Sequence, residues 1–181
     1  DLPVAQWFYA LVAPFPTLAD DVSWAEVQRF WAGEDALQGI SRTPETPTLY
    51  VAEDTLAMLK GLLGPPSDEA PIEVLPAEEL LISAWNARPL AWAIVPFHEL
   101  EPRWKVLRID GINILEKGLQ VYPLVATLSV AGEGAGELAA ALTGDGGLLT
   151  NRDEEKMTSL IMTGVTALNR TTAYEMEQRG I

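Results

Sequence analysis

The sequence predicts an α/β protein, a sheet layered with helices, and three observations carry that prediction. Apolar runs of strand length recur along the chain: Trp7 to Ala13 (WFYALVA), Ala91 to Val95, and Tyr122 to Val130 (YPLVATLSV). Segments with apolar residues at helical spacing separate them. The composition is that of a globular protein, 48% hydrophobic and 21% charged over 181 residues. This excludes a disordered or fibrous chain and suits one domain, or two small lobes around a shared core.

The elements follow in order. Trp7 to Ala13 reads as a buried strand, closed by Pro14-Phe15-Pro16. Ser23-Trp24-Ala25-Glu26 is a capping box, so a helix starts there, with Trp24, Val27 and Phe30 or Trp31 on its apolar face and Gly33 as its stop. Residues 35 to 47, rich in Pro, Thr and Gly, read as a loop. Thr48 to Val51 is a short strand. Glu53 or Asp54 then caps a second helix carrying Leu56, Leu59, Leu62 and Leu63, which Gly64-Pro65-Pro66 ends. Ile72 to Val74 is another short strand. A third helix has Pro76 near its first position, Glu78 and Glu79 in its positive first turn, Leu81 and Trp85 inward, and Pro89 forcing the exit.

Ala91 to Val95 and Trp104 to Ile109 are strands, the latter ended by the Asp110-Gly111 turn. Tyr122 to Val130 is the longest strand candidate, followed by a glycine-spaced loop and a small helix, Glu137 to Leu142. In the last segment Met157, Leu160, Ile161, Val165 and Leu168 support one helix from about Asp153 to Arg179. A strand at Ser159 to Met162 is the alternative, because Gly164 weakens a helix by about 1 kcal/mol.

Charge and composition exclude several functions. Twelve Lys+Arg against 26 Asp+Glu leave a net charge of −14, a field that repels nucleic acid and anionic lipid. With no cysteine and one histidine, thiolate chemistry, disulfides and multi-histidine metal sites are excluded, and no metal or cofactor is expected. No apolar run approaches the ~20 residues of a membrane span. Asp1-Leu2-Pro3 carries no leader signature, so the chain is expected to be cytoplasmic or to have lost one.

Candidate ligand-binding residues are few. Thr17, Asp20, Asp21, Ser23 and Trp24 gather at a strand-to-helix loop, where backbone amides and the helix dipole suit an anionic or hydroxyl-bearing ligand. The plainer reading is a capped helix beside a solvated acidic loop. Phe97 and His98 follow a buried strand, and Glu99 and Glu101 are placed to raise the proton affinity of His98, though no nucleophile accompanies it. Arg42 is one of few cations and suits a carboxylate. Of the six tryptophans, core packing is expected for all but Trp24 and Trp104. Glu133-Gly134-Ala135-Gly136-Glu137 lacks the Lys and Ser/Thr of a phosphate loop, and Asn169-Arg170-Thr171 fits a glycosylation sequon.

Three stretches, in order, resemble solute-binding proteins of the type 2 periplasmic fold, above all the phosphate-binding branch. Val22 to Glu34 is similar to that family's helix ending in an aromatic, a small residue and Gly. Ala93 to Gly111 (AIVPFHELEPRWKVLRIDG) resembles its returning strand and "K-V-L-x-I-D-G" turn, and Tyr122-Pro123-Leu124 its "Y-P-L" hinge segment. That family holds phosphate with a Gly-Ser loop before the first matched strand, ahead of where this chain starts, and with a Ser-Gly-Thr loop. Here Thr43-Pro44-Glu45-Thr46-Pro47 stands at the second place, so no anion-binding residue carries over. Leu160 to Arg170 (LIMTGVTALNR) is similar to the opening strand of CapA-type proteins of poly-gamma-glutamate capsule synthesis, with Val165 where their metal-binding Asp stands.

These resemblances imply a two-lobed α/β fold of mixed sheets flanked by helices. Residues 13–90 form one lobe and 1–12 plus 91–181 the other, with crossings near Ala13 and Trp92. Residues 158–181 are then the start of a truncated downstream metallophosphatase-like domain of the same polypeptide. The implied role is non-catalytic, extracytoplasmic recognition of a small molecule or cell-envelope polymer. The alternative is a degenerate scaffold or regulatory domain of a CapA-like capsule-synthesis protein.

Overall fold

The computed structural model describes residues 1–41, 44–119, 121–144, 147–158 and 160. Among them, nine strands and five α-helices follow in the order β1 (Leu2–Pro14), β2 (Asp21–Val22), α1 (Trp24–Trp31), α2 (Gln38–Ser41), β3 (Thr48–Val51), α3 (Glu53–Leu63), β4 (Ile72–Val74), α4 (Ala77–Ala87), β5 (Ala91–Pro96), β6 (Trp104–Val106), β7 (Arg108–Ile109), β8 (Val125–Val130), α5 (Ala135–Thr143) and β9 (Leu149–Thr150).

The main sheet runs β4-β3-β5-β1-β6, with β8 and β9 also paired to β1; β2 and β7 form a separate parallel pair. Strands β4, β3 and β5 are parallel, and β1 returns antiparallel to β5. All of β5 is buried, as expected of a strand covered on both faces. Successive side chains point to opposite faces. Trp92 meets Phe30 of α1 edge to face at 4.9 Å, while Val95, three residues on, lines a cavity with Leu80 and Leu81 of α4. Helices α1 and α4 therefore cover opposite faces, and between them lies a core centred on Leu11, Leu49, Trp92 and Ile94.

Strand β1 starts earlier than its apolar run, because Leu2 to Phe8 pair antiparallel with β8 while Tyr9 to Pro14 pair with β5 and β6. The expected crossing residues, Ala13 and Trp92, lie inside the sheet opposite Lys105 and Leu49. The change of partners along β1 instead comes at Phe8–Tyr9. At that point the Asn151 carboxamide accepts from the Phe8 amide at 2.8 Å and donates to the Phe8 carbonyl at 2.9 Å. It fills the rung between the Tyr9–Pro96 and Gln6–Thr150 pairs as a strand residue would.

Several local expectations are corrected. The 35–47 loop contains α2, because Ala36, Leu37 and Ile40 are buried in the core. Helix α3 has Ala52, not an acidic residue, at its N-cap, with Glu53 and Asp54 in the first turn. Trp104 to Ile109 is two strands in two sheets: Leu107 spends its amide on the Leu11 carbonyl at 2.9 Å, and the chain then turns to β2. Trp104 is buried and Trp7 is 38% exposed, the reverse of the expectation. No α-helix begins at Asp153: that side chain caps a single 3-10 turn, Glu154–Lys156, and Met157 is extended. Beyond Met157 only Thr158 and Leu160 are described; the rest of that segment, with the sequon, lies outside the described residues.

Arg152, absent from the sequence expectations, is 4% exposed. Its guanidinium lies over the Phe8 and Phe97 rings at 5.6 and 5.7 Å and donates to the Ile114 carbonyl, the Glu116 carbonyl and Glu154. Glu154 in turn accepts from the Gly118 amide at 2.8 Å. These bonds, the Gly118 amide first, hold the Glu154 carboxyl down at about 2.

Candidate functional site

In open α/β sheets the carboxyl ends of parallel strands are where ligands meet the chain, because the loops and helix N-termini there converge. Helix α3 starts directly after β3, and α4 directly after β4, so both helices begin at this end. A cavity of about 680 Å³ opens there, lined by Ala52, Glu53, Asp54, Ala57, Leu75 and Ala77 among others. A second, of about 360 Å³, adjoins it at Ala77 and reaches Glu78, Leu81, His98, Glu99 and Trp104.

The carboxylates of Asp54 and Glu99 both bear on Tyr9. It lies on β1 opposite Pro96 and is 9% exposed, on the same sheet face as Trp7, whose ring meets His98 edge-on at 5.5 Å. Burial, then the carboxylates of Asp54 and Glu99, push the Tyr9 phenol above its ordinary value.

Two opposing fields act in this cleft. Each helix N-terminus carries the equivalent of roughly half a positive charge, about one in all. Neither Ala52 nor Pro76 caps its helix through a side chain. Against that stand the carboxylates of Glu53, Asp54, Glu78 and Glu99, with Glu101 beside them but paired with Arg103, and no Lys or Arg lines either cavity. Four unpaired negative charges outweigh one positive. The cleft is cation-seeking, and its helix ends are neutralised by their own chain.

The residues singled out in the sequence divide into two groups. Thr17, Asp20, Asp21, Ser23 and Trp24 do gather beyond the C-terminal end of β1, but the Asp20, Asp21 and Ser23 side chains, the Thr17 carbonyl and the Trp24 amide are occupied. Lys105 pairs with Asp20 at 2.7 Å, which lowers that carboxyl, and donates to the Thr17 carbonyl at 2.9 Å. Asp21 accepts from the Gly111 amide, and the Trp24 amide donates to Asp110, both at 3.1 Å. Ser23 and Glu26 form the expected capping box. This is the plainer reading, a braced helix start.

Phe97 and His98 sit at the other end, since β1 runs about 20 Å from Trp7 to Pro14 at ~3.3 Å per residue. Phe97 lies under Arg152, and His98 lines the acidic cleft with Nε2 3.8 Å from Glu99 and Nδ1 3.4 Å from Asn151. Glu101 is paired with Arg103 at 3.1 Å. Arg42 lies outside the described residues. Asp54 and Glu78 were missed as cavity-lining residues. Acidic residues directly after short strands were the available signal, and read one helix at a time they look like ordinary first-turn charges.

No protein-family model and no curated protein sequence matches the chain. Among solved structures, it is similar to an ABC-type phosphate transport receptor from Vibrio cholerae (TM-score 0.59, 12% identity, 80% of this chain and 66% of that one). It is similar also to a putative phosphate ABC transporter substrate-binding protein with bound phosphate from Clostridium perfringens (TM-score 0.50, 14% identity, 78% and 64%). A third similar structure is a possible phosphate binding protein from Planctomyces limnophilus (TM-score 0.53, 16% identity, 70% and 52%). The chain thus spans about two thirds or less of the structures it matches. The fold is a mixed α/β arrangement of the periplasmic-binding-protein kind, with the sheet flanked by helices. Among the described residues no helix is long and apolar enough to cross a membrane.

Proposed function

We propose that the chain is a non-catalytic binding module acting outside the cytoplasm, where it recognises a small molecule or a cell-envelope polymer. The observation that carries this is the open cleft over the carboxyl ends of β3, β4 and β5, made of two adjoining cavities. The fold's neighbours are solute-binding proteins, which supports recognition without chemistry. The two-lobed division belongs to the same proposal, its boundary being the change of partners along β1 at Phe8–Tyr9.

The test is a thermal-shift panel of phosphate, amino sugars, polyamines and envelope polymer fragments. A ligand at 100 times its Kd adds about 2.7 kcal/mol, which at this size raises Tm by roughly 5–10 °C. A flat response to every compound at millimolar concentration would refute the reading.

A second reading, a scaffold or regulatory domain of a CapA-like protein, is favoured by one observation. Leu128, Leu138, Leu142, Leu149 and Leu160 are 46–79% exposed, apolar surface of the kind that partners cover. Attaching a metallophosphatase-like domain after Ile181 should bury these leucines and protect β8 amides from hydrogen exchange. Unchanged exchange would remove this reading.

A further inference from the structure

The side chain that closes the β1 junction also touches the single histidine. Backbone groups fix the orientation of the Asn151 carboxamide: its oxygen accepts from the Phe8 amide at 2.8 Å, and its Nδ2 donates to the Phe8 carbonyl at 2.9 Å. Turned over, it would set donor against donor and acceptor against acceptor. The same Nδ2 has a second hydrogen to give, and Nδ1 of His98 lies 3.4 Å from it.

That contact fixes where the imidazole carries its hydrogen. Nδ1 faces a donor, so in the neutral ring it is the acceptor, and the hydrogen sits on Nε2, the nitrogen 3.8 Å from Glu99. Histidine is the side chain that gains a charge between pH 8 and pH 5. The second proton goes to Nδ1, where N–H then meets N–H and the bond from Asn151 is lost. The imidazolium is drawn the other way, toward Glu99. Both partners of that ion pair are close to half exposed, so it contributes little energy, but it favours a ring turned from Asn151.

The other charges near the ring do not take over this role. Glu78 of α4 and Glu101 line the same cavity as His98, and Glu101 is paired with Arg103. Arg152, next to Asn151, donates to Glu154 and to two backbone carbonyls. On β1, Trp7 meets the ring edge-on, and the Tyr9 phenol on the same face is uncharged in this range.

We infer that His98 and Asn151 form a proton-operated clasp on β1. The neutral imidazole holds the carboxamide against Phe8, where the strand changes partners, and the imidazolium lets it go. This device goes beyond the binding-module reading and is independent of the ligand.

The test is NMR on the intact chain, whose one histidine gives one set of imidazole signals. At pH 8 the ring nitrogens should report a hydrogen on Nε2 and a bare Nδ1. From pH 8 to pH 5.5, exchange at the Phe8 amide, corrected for the free-amide rate, should speed up about fivefold, the worth of one ordinary hydrogen bond. The Ala10 amide, within the β1–β5 ladder, should stay unchanged. His98→Gln keeps a neutral acceptor that takes no proton, and the site is half exposed, so the variant should fold and show the same Phe8 exchange at both pH values. By linkage, Asn151→Ala should bind the His98 proton about fivefold more tightly than the wild type does.

A neutral ring with its hydrogen on Nδ1 would overturn the inference. So would Phe8 exchange that ignores pH or speeds up equally in H98Q, or an N151A titration that matches the wild type.

Discussion

Replacing Arg152 with Met keeps an unbranched apolar stem in the space between Phe8 and Phe97 and removes the charge. Arg152 is 4% exposed, and its guanidinium donates to the Ile114 carbonyl at 2.8 Å, to Glu154 at 2.5 Å and to the Glu116 carbonyl. In the variant the Ile114 carbonyl, within a fully buried residue, loses its donor, a cost of about 1–3 kcal/mol. The two cation–π contacts together contribute about 1–2 kcal/mol. Glu116 is exposed and rehydrates, and relief of guanidinium desolvation offsets part of the loss. The net expectation is a destabilisation of about 3 kcal/mol, at the low end for a broken buried pair because Glu154 faces solvent. With a urea slope of about 2 kcal/mol/M, the midpoint followed by tryptophan fluorescence drops by about 1.5 M.

The same variant carries a pH signature. Glu154 is depressed to about 2 in the folded chain, so its contribution is complete above the ordinary carboxylate value and is lost as pH falls through about 2. Without Arg152 that depression shrinks, and the stability gap between variant and wild type should narrow between pH 5 and pH 2. A midpoint shift below 0.5 M, about 1 kcal/mol, or a gap that widens with acid, would refute the assignment of Arg152 as the anchor of this region.

Three further outcomes follow from the same structure. Ser23→Ala removes the capping box of α1 and should cost about 1 kcal/mol by urea melting, whereas Ser23→Thr should stay within a few tenths. Gly33→Ala places a Cβ 2.5 Å from the Ser67 hydroxyl at a φ of +83°, so a loss of about 2 kcal/mol or more is expected; a neutral result would contradict the backbone described. Asn151→Ala unpairs both backbone groups of Phe8 and should cost about 1–2 kcal/mol. Its signature is faster hydrogen exchange at the Phe8 amide, while the Ala10 amide, bonded within β1 and β5, keeps its protection.

Much of the fold was legible in the chain because it depends on neighbours in sequence. The capping box at Ser23, the glycine-proline stop after Leu63, the apolar period of α3 and the continuous hydrophobic run of β5 are local signals, set by backbone sterics and by burial on one face or two. The candidate site was less legible. His98 was found because a lone histidine beside glutamates is visible in sequence. Asp54 and Glu78 looked like helix-start charges, and Tyr9 like one aromatic among several in a core strand.

By itself, then, the sequence determined the α/β class, most element positions and an acidity that turns anions away. Tertiary structure decided which partners each half of β1 takes, that Trp104 is covered while Trp7 is left open, that Arg152 is sealed between two phenylalanines, and that Asp54 and Glu99 both bear on the Tyr9 phenol. The physical reason is that strand register and side-chain burial are settled by groups distant along the chain. Asp54 and Glu99 reach the same phenol only after β3 and β5 have paired and β1 has laid itself against them, and no local periodicity encodes that meeting.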